Sequence, residues 1–174
     1  MQIINTYYSS EEIEKILEAS IMSKIDIHQE KLLEISDKLY IFNGISKNDI
    51  LMMTNSVNFK KYQKGDVIIK ENDKEEDIFF ILSGKIAVVV GNKNVVSTID
   101  SGSMFGEMAF LTKKARTATI IAYHDNTVII SFKINSDKLS QIFSYPFAKL
   151  YQNIALDLSK KLEISNAKIT SISK

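Results

Sequence analysis

Residues Lys64 to Val90 read KGDVIIKENDKEEDIFFILSGKIAVVV. Three runs rich in β-branched and aromatic residues, VII at 67–69, IFFIL at 78–82 and IAVVV at 86–90, are punctuated by Gly65-Asp66 and Ser83-Gly84. Short apolar runs bounded by turn residues read as strands. The pattern continues outward with VVSTI at 95–99, TATIIA at 117–122 and TVIISF at 127–132. Gly91-Asn92, Ser101-Gly102 and Asp125-Asn126 supply the further turn signals. Strands at this spacing predict a sandwich or barrel, not alternating βαβ units.

Helical periodicity flanks this β-rich centre. Upstream, apolar residues recur at helical spacing at Ile13, Ile16, Leu17 and Ile21, and again at Leu32, Leu33, Ile35 and Leu39. Ser9 with Glu12 has capping-box spacing, and Asp26 with Gln29 opens a second helix the same way. Asn43-Gly44 then breaks the pattern, and Lys47 to Val57 carries one more short helical stretch. From Ser136 the helical period returns, and the single proline, Pro146, suits the first turn of a long last helix. The expected fold class is α+β: an antiparallel, jelly-roll-like β-roll with N-terminal helices before it and a long helix after it. The expected divisions are an N-terminal helical extension over 1–37, the β-roll with flanking short helices over 38–145, and the C-terminal helix over 146–174.

Bulk composition narrows the function classes. The chain has 174 residues, 45% apolar and 25% charged, enough for one domain with a substantial core. A formal net charge of +1 offers no basic surplus for nucleic acid and no acidic surplus for a basic partner. The absence of cysteine rules out disulfide and thiolate chemistry. The opening MQIINTYYSSEEIEK lacks the basic start and apolar run of a signal peptide. No stretch reaches the roughly 18 continuous apolar residues of a membrane span, so a cytoplasmic protein is expected. A metal-dependent barrel enzyme needs clustered histidines and carboxylates, whereas His28 and His124 lie in different zones. Neither a metal nor a catalytic residue is expected.

One segment interrupts the strands. Phe105 to Thr119 reads FGEMAFLTKKARTAT and holds Arg116, the only arginine among 22 basic residues. FGEMAFL is too short and too rich in small residues for a core strand, and reads as a helical turn opened by Gly106. The first N–H groups of such a turn have no partner inside it and favour an anion. Arg116 returns to the same place, and its planar fork of donors matches two phosphate oxygens where lysine offers a point charge. Glu107 would repel a phosphate, so it is expected to accept from a neutral group attached to one, such as a sugar hydroxyl. Together these donors and this acceptor imply a sugar phosphate or nucleotide.

These residues resemble the phosphate-binding cassette of the cyclic-nucleotide-binding domain family, found in cyclic-AMP-dependent kinase regulatory subunits, nucleotide-gated channels and the bacterial catabolite activator protein. The family's cassette looks like F-G-E-x-A-L, a five-residue spacer, then R-[AST]-A. Here Phe105-Gly106-Glu107-Met108-Ala109-Phe110 is followed by LTKKA and Arg116-Thr117-Ala118, a spacer equal to that of the kinase subunits. The resemblance runs from about Lys38 to the C-terminus, with KGDVIIKENDKEEDIFFILSGKIAVVV matching the first barrel strands. Asn72-Asp73 departs from the family's usual Gly-Asp, a change the turn tolerates because asparagine accepts positive φ. The resemblance implies that Arg116 and the backbone N–H groups of Ala109, Thr117 and Ala118 hold a cyclic phosphate. It implies that Glu107 and the Gly106 backbone hold the ribose 2′-hydroxyl, that Val88, Val96 and Ser97 line the base side, and that Met108 is a further ligand-binding residue.

For the base, Thr117 permits cyclic GMP. Ser165-Asn166 fall where the catabolite activator protein has the pair that touches adenine, so cyclic AMP is expected ahead of cyclic GMP. The last helix carries an apolar stripe at Phe147, Tyr151, Ile154, Leu158, Leu162, Ile169 and Ile172, interrupted by Ser165. A stripe this long predicts a parallel homodimer and a helix repositioned by ligand. The downstream protein partner is unknown, and with a near-neutral charge and no recognition helix after the last one, no direct DNA binding is expected. Two alternatives stand beside a cyclic-nucleotide sensor: a ligand-free dimerisation or docking module with the same fold, and a binder of a larger cyclic dinucleotide.

Overall fold

The computed structural model describes residues 27–91, 94–134 and 144–172. The first predicted helix, with its Ser9–Glu12 box, lies outside them. Helix α1 spans Ile27–Ile35 and is followed by two 3-10 turns, Ser36–Lys38 and Tyr40–Phe42. The helical pattern extended to Leu39 therefore breaks into tighter turns before Gly44, which has φ 74°. Helix α2, Lys47–Met53, is capped by Ser46, whose hydroxyl accepts from the Asp49 N–H at 3.2 Å. It stops four residues before the predicted end at Val57, because strand β1, Thr54–Tyr62, begins there and pairs Val57 with Phe132. Long-range strand pairing has overridden a local helical period.

The remaining strands are β2 (Val67–Ile69), β3 (Ile78–Ser83), β4 (Lys85–Val90), β5 (Asn94–Asp100), β6 (Met104–Phe105), β7 (Thr119–Ala122) and β8 (Thr127–Ile134). They form two antiparallel four-stranded sheets, ordered β1-β8-β3-β6 and β2-β7-β4-β5. Four turn signals mark where the chain passes from one sheet to the other: Gly65-Asp66, Ser83-Gly84, Ser101-Gly102 and Asp125-Asn126. This alternation makes the roll. Gly84 needs its missing side chain, because its φ is 89° and a Cβ would stand 2.9 Å from the Thr127 Cα.

Sheet β1-β8-β3-β6 is covered on both faces, which explains the unbroken apolar run of β3. Ile78 and Phe80 join a cluster with Leu32, Ile50, Phe132 and Leu150 on the helical side. Phe79 and Ile81 join Ile86, Phe105, Ile120 and Ile129 between the sheets. A strand buried on both faces reads as continuous hydrophobicity, not alternation. Helix α3, Glu107–Thr112, interrupts the strands between β6 and β7, and helix α4 spans Ser144–Ile172. Pro146 sits in the first turn of α4, two residues inside a helix that starts earlier than the expected boundary at 146. Among the described residues, no helix is long and apolar enough to cross a membrane.

Candidate functional site

Arg116 is 5% exposed, although it is the residue most expensive to bury unpaired. Its Nη1 donates to the Gly106 carbonyl at 2.7 Å and its Nη2 to the Asp77 carbonyl at 2.8 Å. The guanidinium lies over the Phe79 ring, 5.4 Å from the centroid. Its backbone is fixed as well, because Arg116 N–H donates to the Asp73 carbonyl at 2.8 Å and Asn72 N–H donates to the Arg116 carbonyl at 2.9 Å. Burial pulls the guanidinium below the usual arginine range, while Asp77, Glu75, Asp73 and Glu107 act in the opposite sense. One nitrogen is left without a partner: Nε is buried with no hydrogen-bond partner among the described residues.

Gly106 makes this arrangement possible. Its φ is 81°, a left-handed conformation that also starts α3. A Cβ there would meet Arg116 Nη1 and Phe79 Cδ2 at 2.9 Å and the Asp77 carbonyl at 3.1 Å. Only a glycine lets the backbone lie flat against the guanidinium. Ten residues apart in sequence, the two positions close on each other.

A cavity of about 170 Å³ opens here. Gly106, Glu107, Met108, Ala109, Arg116, Thr117 and Ala118 line one part of it, and Val88, Ile99, Ile69 and Ile120 line the sheet side. Eight of the twelve residues singled out in the sequence thus meet around one space. The other four do not line it. Val96 is the extra residue of a bulge, since Val88 pairs with Ser97 while Val89 pairs with Val95, and it is 60% exposed. Ser97 opposes Val88 but its hydroxyl turns to the Thr98 carbonyl at 3.4 Å. Ser165 and Asn166 stand exposed on α4, beyond the last residue of that helix to reach the cavity.

That residue is Lys161. Its ammonium pairs with Glu107 Oε1 at 2.9 Å and with Asp157 Oδ2 at 2.8 Å, and donates to the Met104 carbonyl at 2.8 Å. Asp157 Oδ1 accepts from the Tyr40 hydroxyl at 2.6 Å, which in turn accepts from the Met104 N–H at 3.2 Å. Glu107, expected as a hydroxyl acceptor, is buried and ion-paired through Oε1. The sequence reading missed Lys161, the carbonyls of Asp73 and Asp77, and Phe79. The spacing of Lys161 from Ile154 and Leu158 along the buried stripe was the one signal available for it.

A family model described as "Cyclic nucleotide-binding domain" matches residues 59–145. The cGMP-dependent protein kinase of Plasmodium berghei is 33% identical over 117 residues, which cover 59% of this chain and 14% of the kinase. The cAMP-dependent protein kinase regulatory subunit of Debaryomyces hansenii is 32% identical over 91 residues, covering 52% of this chain and 20% of that subunit. The chain thus corresponds to a fifth or less of the length of these two relatives. Among solved structures, the Thermus thermophilus catabolite activator protein superposes with a TM-score of 0.56 at 21% identity, covering 77% of this chain and 63% of that one. At that identity the match shows the fold.

Proposed function

This chain belongs to the cyclic nucleotide-binding domain family, and we propose that it senses a cyclic purine nucleotide, cyclic AMP ahead of cyclic GMP, and passes occupancy to helix α4. The observation that carries this reading is the buried Arg116, which lines the cavity, is fixed by two carbonyls and keeps a buried Nε with no partner among the described residues. An unsatisfied buried donor costs about 1–3 kcal/mol, more when charged, and a phosphate oxygen removes that penalty. Arg116 and the backbone of Ala109, Thr117 and Ala118 hold the cyclic phosphate in this reading, and Glu107 with Gly106 takes the ribose hydroxyl. Val88, Ile99 and Met108 face the base.

What is left to pair supports adenine in this reading. Glu107 and Lys161 are bonded to each other, and Arg116 serves the phosphate, so Thr117 is the one lining hydroxyl free for a base edge. Guanine carries one polar group more on its pairing edge than adenine, so it leaves more unpaired beside a single hydroxyl, and buried unpaired polar groups are penalised. Ser165 and Asn166 reach a base only from a second copy or after α4 moves. The exposed Leu162 and Ile169, at 62% and 60%, support pairing of α4 with a second copy. The role is regulatory binding without a reaction.

Isothermal titration of nucleotide-stripped protein with cyclic AMP and with cyclic GMP tests the reading. Saturable binding at micromolar concentration or below, tighter for cyclic AMP, is the expected result. No heat with either ligand from folded protein overturns it in favour of a docking module.

A further inference from the structure

We infer that Glu71 is a positioning residue for the base: it staples the ends of β2, β7 and β4 together and keeps in register the apolar row against which a base lies. The inference rests on the cyclic-nucleotide reading above. It starts from the pairing of the strands. Ile69 pairs with Ile120, and Ile120 pairs with Val88, so these side chains form one row across β2, β7 and β4. All three line the cavity. Ile69 and Ile120 are buried, and Val88 packs against the same cluster. Directly opposed side chains on one face stabilise a sheet only while the strands keep their register.

Backbone pairing stops just past this row. The β2–β7 ladder ends at Ile69 with Ile120, and the β4–β7 ladder ends at Val89 with Thr119. Contact between the two chains resumes at Arg116, whose N–H and carbonyl bond Asp73 and Asn72. In between, Thr117, Ala118 and Thr119 stand opposite only Lys70 and Glu71, so the chains cannot pair residue for residue. Glu71 bridges this gap. Its N–H donates to the Thr119 hydroxyl at 3.0 Å, and its Oε2 accepts from the Gly91 N–H at 3.2 Å. Gly91, at φ 60°, follows the last residue of β4, so the carboxylate holds the point where that strand turns away. One half-buried residue thus links β2, β7 and β4, the same neighbours that the row crosses. Without the carboxylate, the Gly91 N–H turns to water and the end of β4 moves independently of β7. Val88 then shifts against Ile120, and a planar base loses contact along the row. Arg116, at the phosphate side, keeps its own hydrogen bonds.

The test compares a large base with a small one. Cyclic AMP and cyclic UMP share the ribose and the cyclic phosphate, and the single ring of uracil covers less of the row. Both are titrated against wild type, Glu71→Ala and Glu71→Gln, cyclic UMP by competition against bound cyclic AMP. Thermal melts show that each variant is folded. In Glu71→Ala, cyclic AMP loses about fivefold in affinity, the worth of one hydrogen bond, while cyclic UMP changes by less than about twofold. Glu71→Gln keeps an oxygen for the Gly91 N–H and stays within about twofold of wild type for both ligands. Amide exchange at Gly91 is slower in wild type than in Glu71→Ala, and equal rates overturn the inference. An equal loss for both ligands means that Glu71 only stabilises the fold, and overturns it too. So does unchanged binding of cyclic AMP in Glu71→Ala, or a loss as large in Glu71→Gln. If wild type does not bind cyclic AMP, the cyclic-nucleotide reading itself fails, which is a separate result.

Discussion

A guanidinium whose two terminal nitrogens already hold carbonyls at Gly106 and Asp77 is set in place before any ligand arrives. Fixed orientation is what lysine at this position loses, since it has one nitrogen and no planar fork. Arg116→Lys is expected to weaken cyclic nucleotide binding more than tenfold, because charge-assisted hydrogen bonds are worth about 1.5–3 kcal/mol each. Titration calorimetry checks it, and unchanged affinity would sink the assignment. Gly106→Ala acts on the same contact from the other side, placing a methyl 2.9 Å from Arg116 Nη1 in a backbone with φ 81°. A left-handed alanine costs about 1–2 kcal/mol, and for a chain of this size each kcal/mol lowers Tm by about 2–4 °C. The expected outcome is a melting point lower by several degrees together with weaker binding, read by calorimetry on one preparation. Both residues were legible in the sequence, the arginine by its singularity and the glycine by the cassette. The stacking on Phe79 was not, because Phe79 reads only as one more residue of an apolar strand.

Between elements, the Tyr40–Asp157 hydrogen bond ties a 3-10 turn to α4 across 117 positions. Tyr40→Phe leaves the Met104 N–H without its acceptor and Asp157 without its donor. A loss of about 1–3 kcal/mol is expected, measured by urea unfolding. Burial, and then the hydrogen bond to Asp157, push the Tyr40 phenol far above the usual tyrosine range. A group raised on folding contributes stability that is full below its unfolded value of about 10 and is lost as pH rises toward the folded value. Wild-type Tm is therefore expected to fall more steeply above about pH 10 than that of Tyr40→Phe. Tyr62, also raised by burial, gives both proteins a common residual slope. The Asn72-Asp73 turn shows what sequence reading reaches at this scale. Asparagine there predicts tolerance of positive φ, and its φ is 71°. That the turn also brackets the Arg116 backbone with two hydrogen bonds follows only from the fold.

Over the whole molecule, α4 divides into two halves. Phe147, Leu150 and Ile154 are buried against the roll, Leu158 is partly so, and beyond Lys161 Leu162 and Ile169 are exposed on one face of the helix. An apolar helix face of this length seeks cover. If a second copy supplies it, Leu162→Glu with Ile169→Glu leaves a monomer whose melting point is close to that of wild type, because neither side chain contributes to the core. Sedimentation velocity distinguishes the two masses. A wild-type chain already monomeric at high concentration removes the dimer from the proposal.

Turn residues, strand runs and the cassette spacing were set by the sequence alone, because each depends on a few neighbouring residues and on periods of two or 3.6. The α+β roll, the turns between its strands and the meeting of Gly106 with Arg116 belong to that class. The tertiary structure decided the rest. A bulge in β5 carried Val96 away from the cavity, pairing with β8 turned the end of a helical pattern into strand, and the rotation of α4 brought Lys161 rather than Leu162 to the site. A pair such as Lys161 and Glu107, 54 positions apart, leaves no mark in any local window. It exists because two buried faces fix the helix on the roll, and packing, not spacing, selects which side chain arrives.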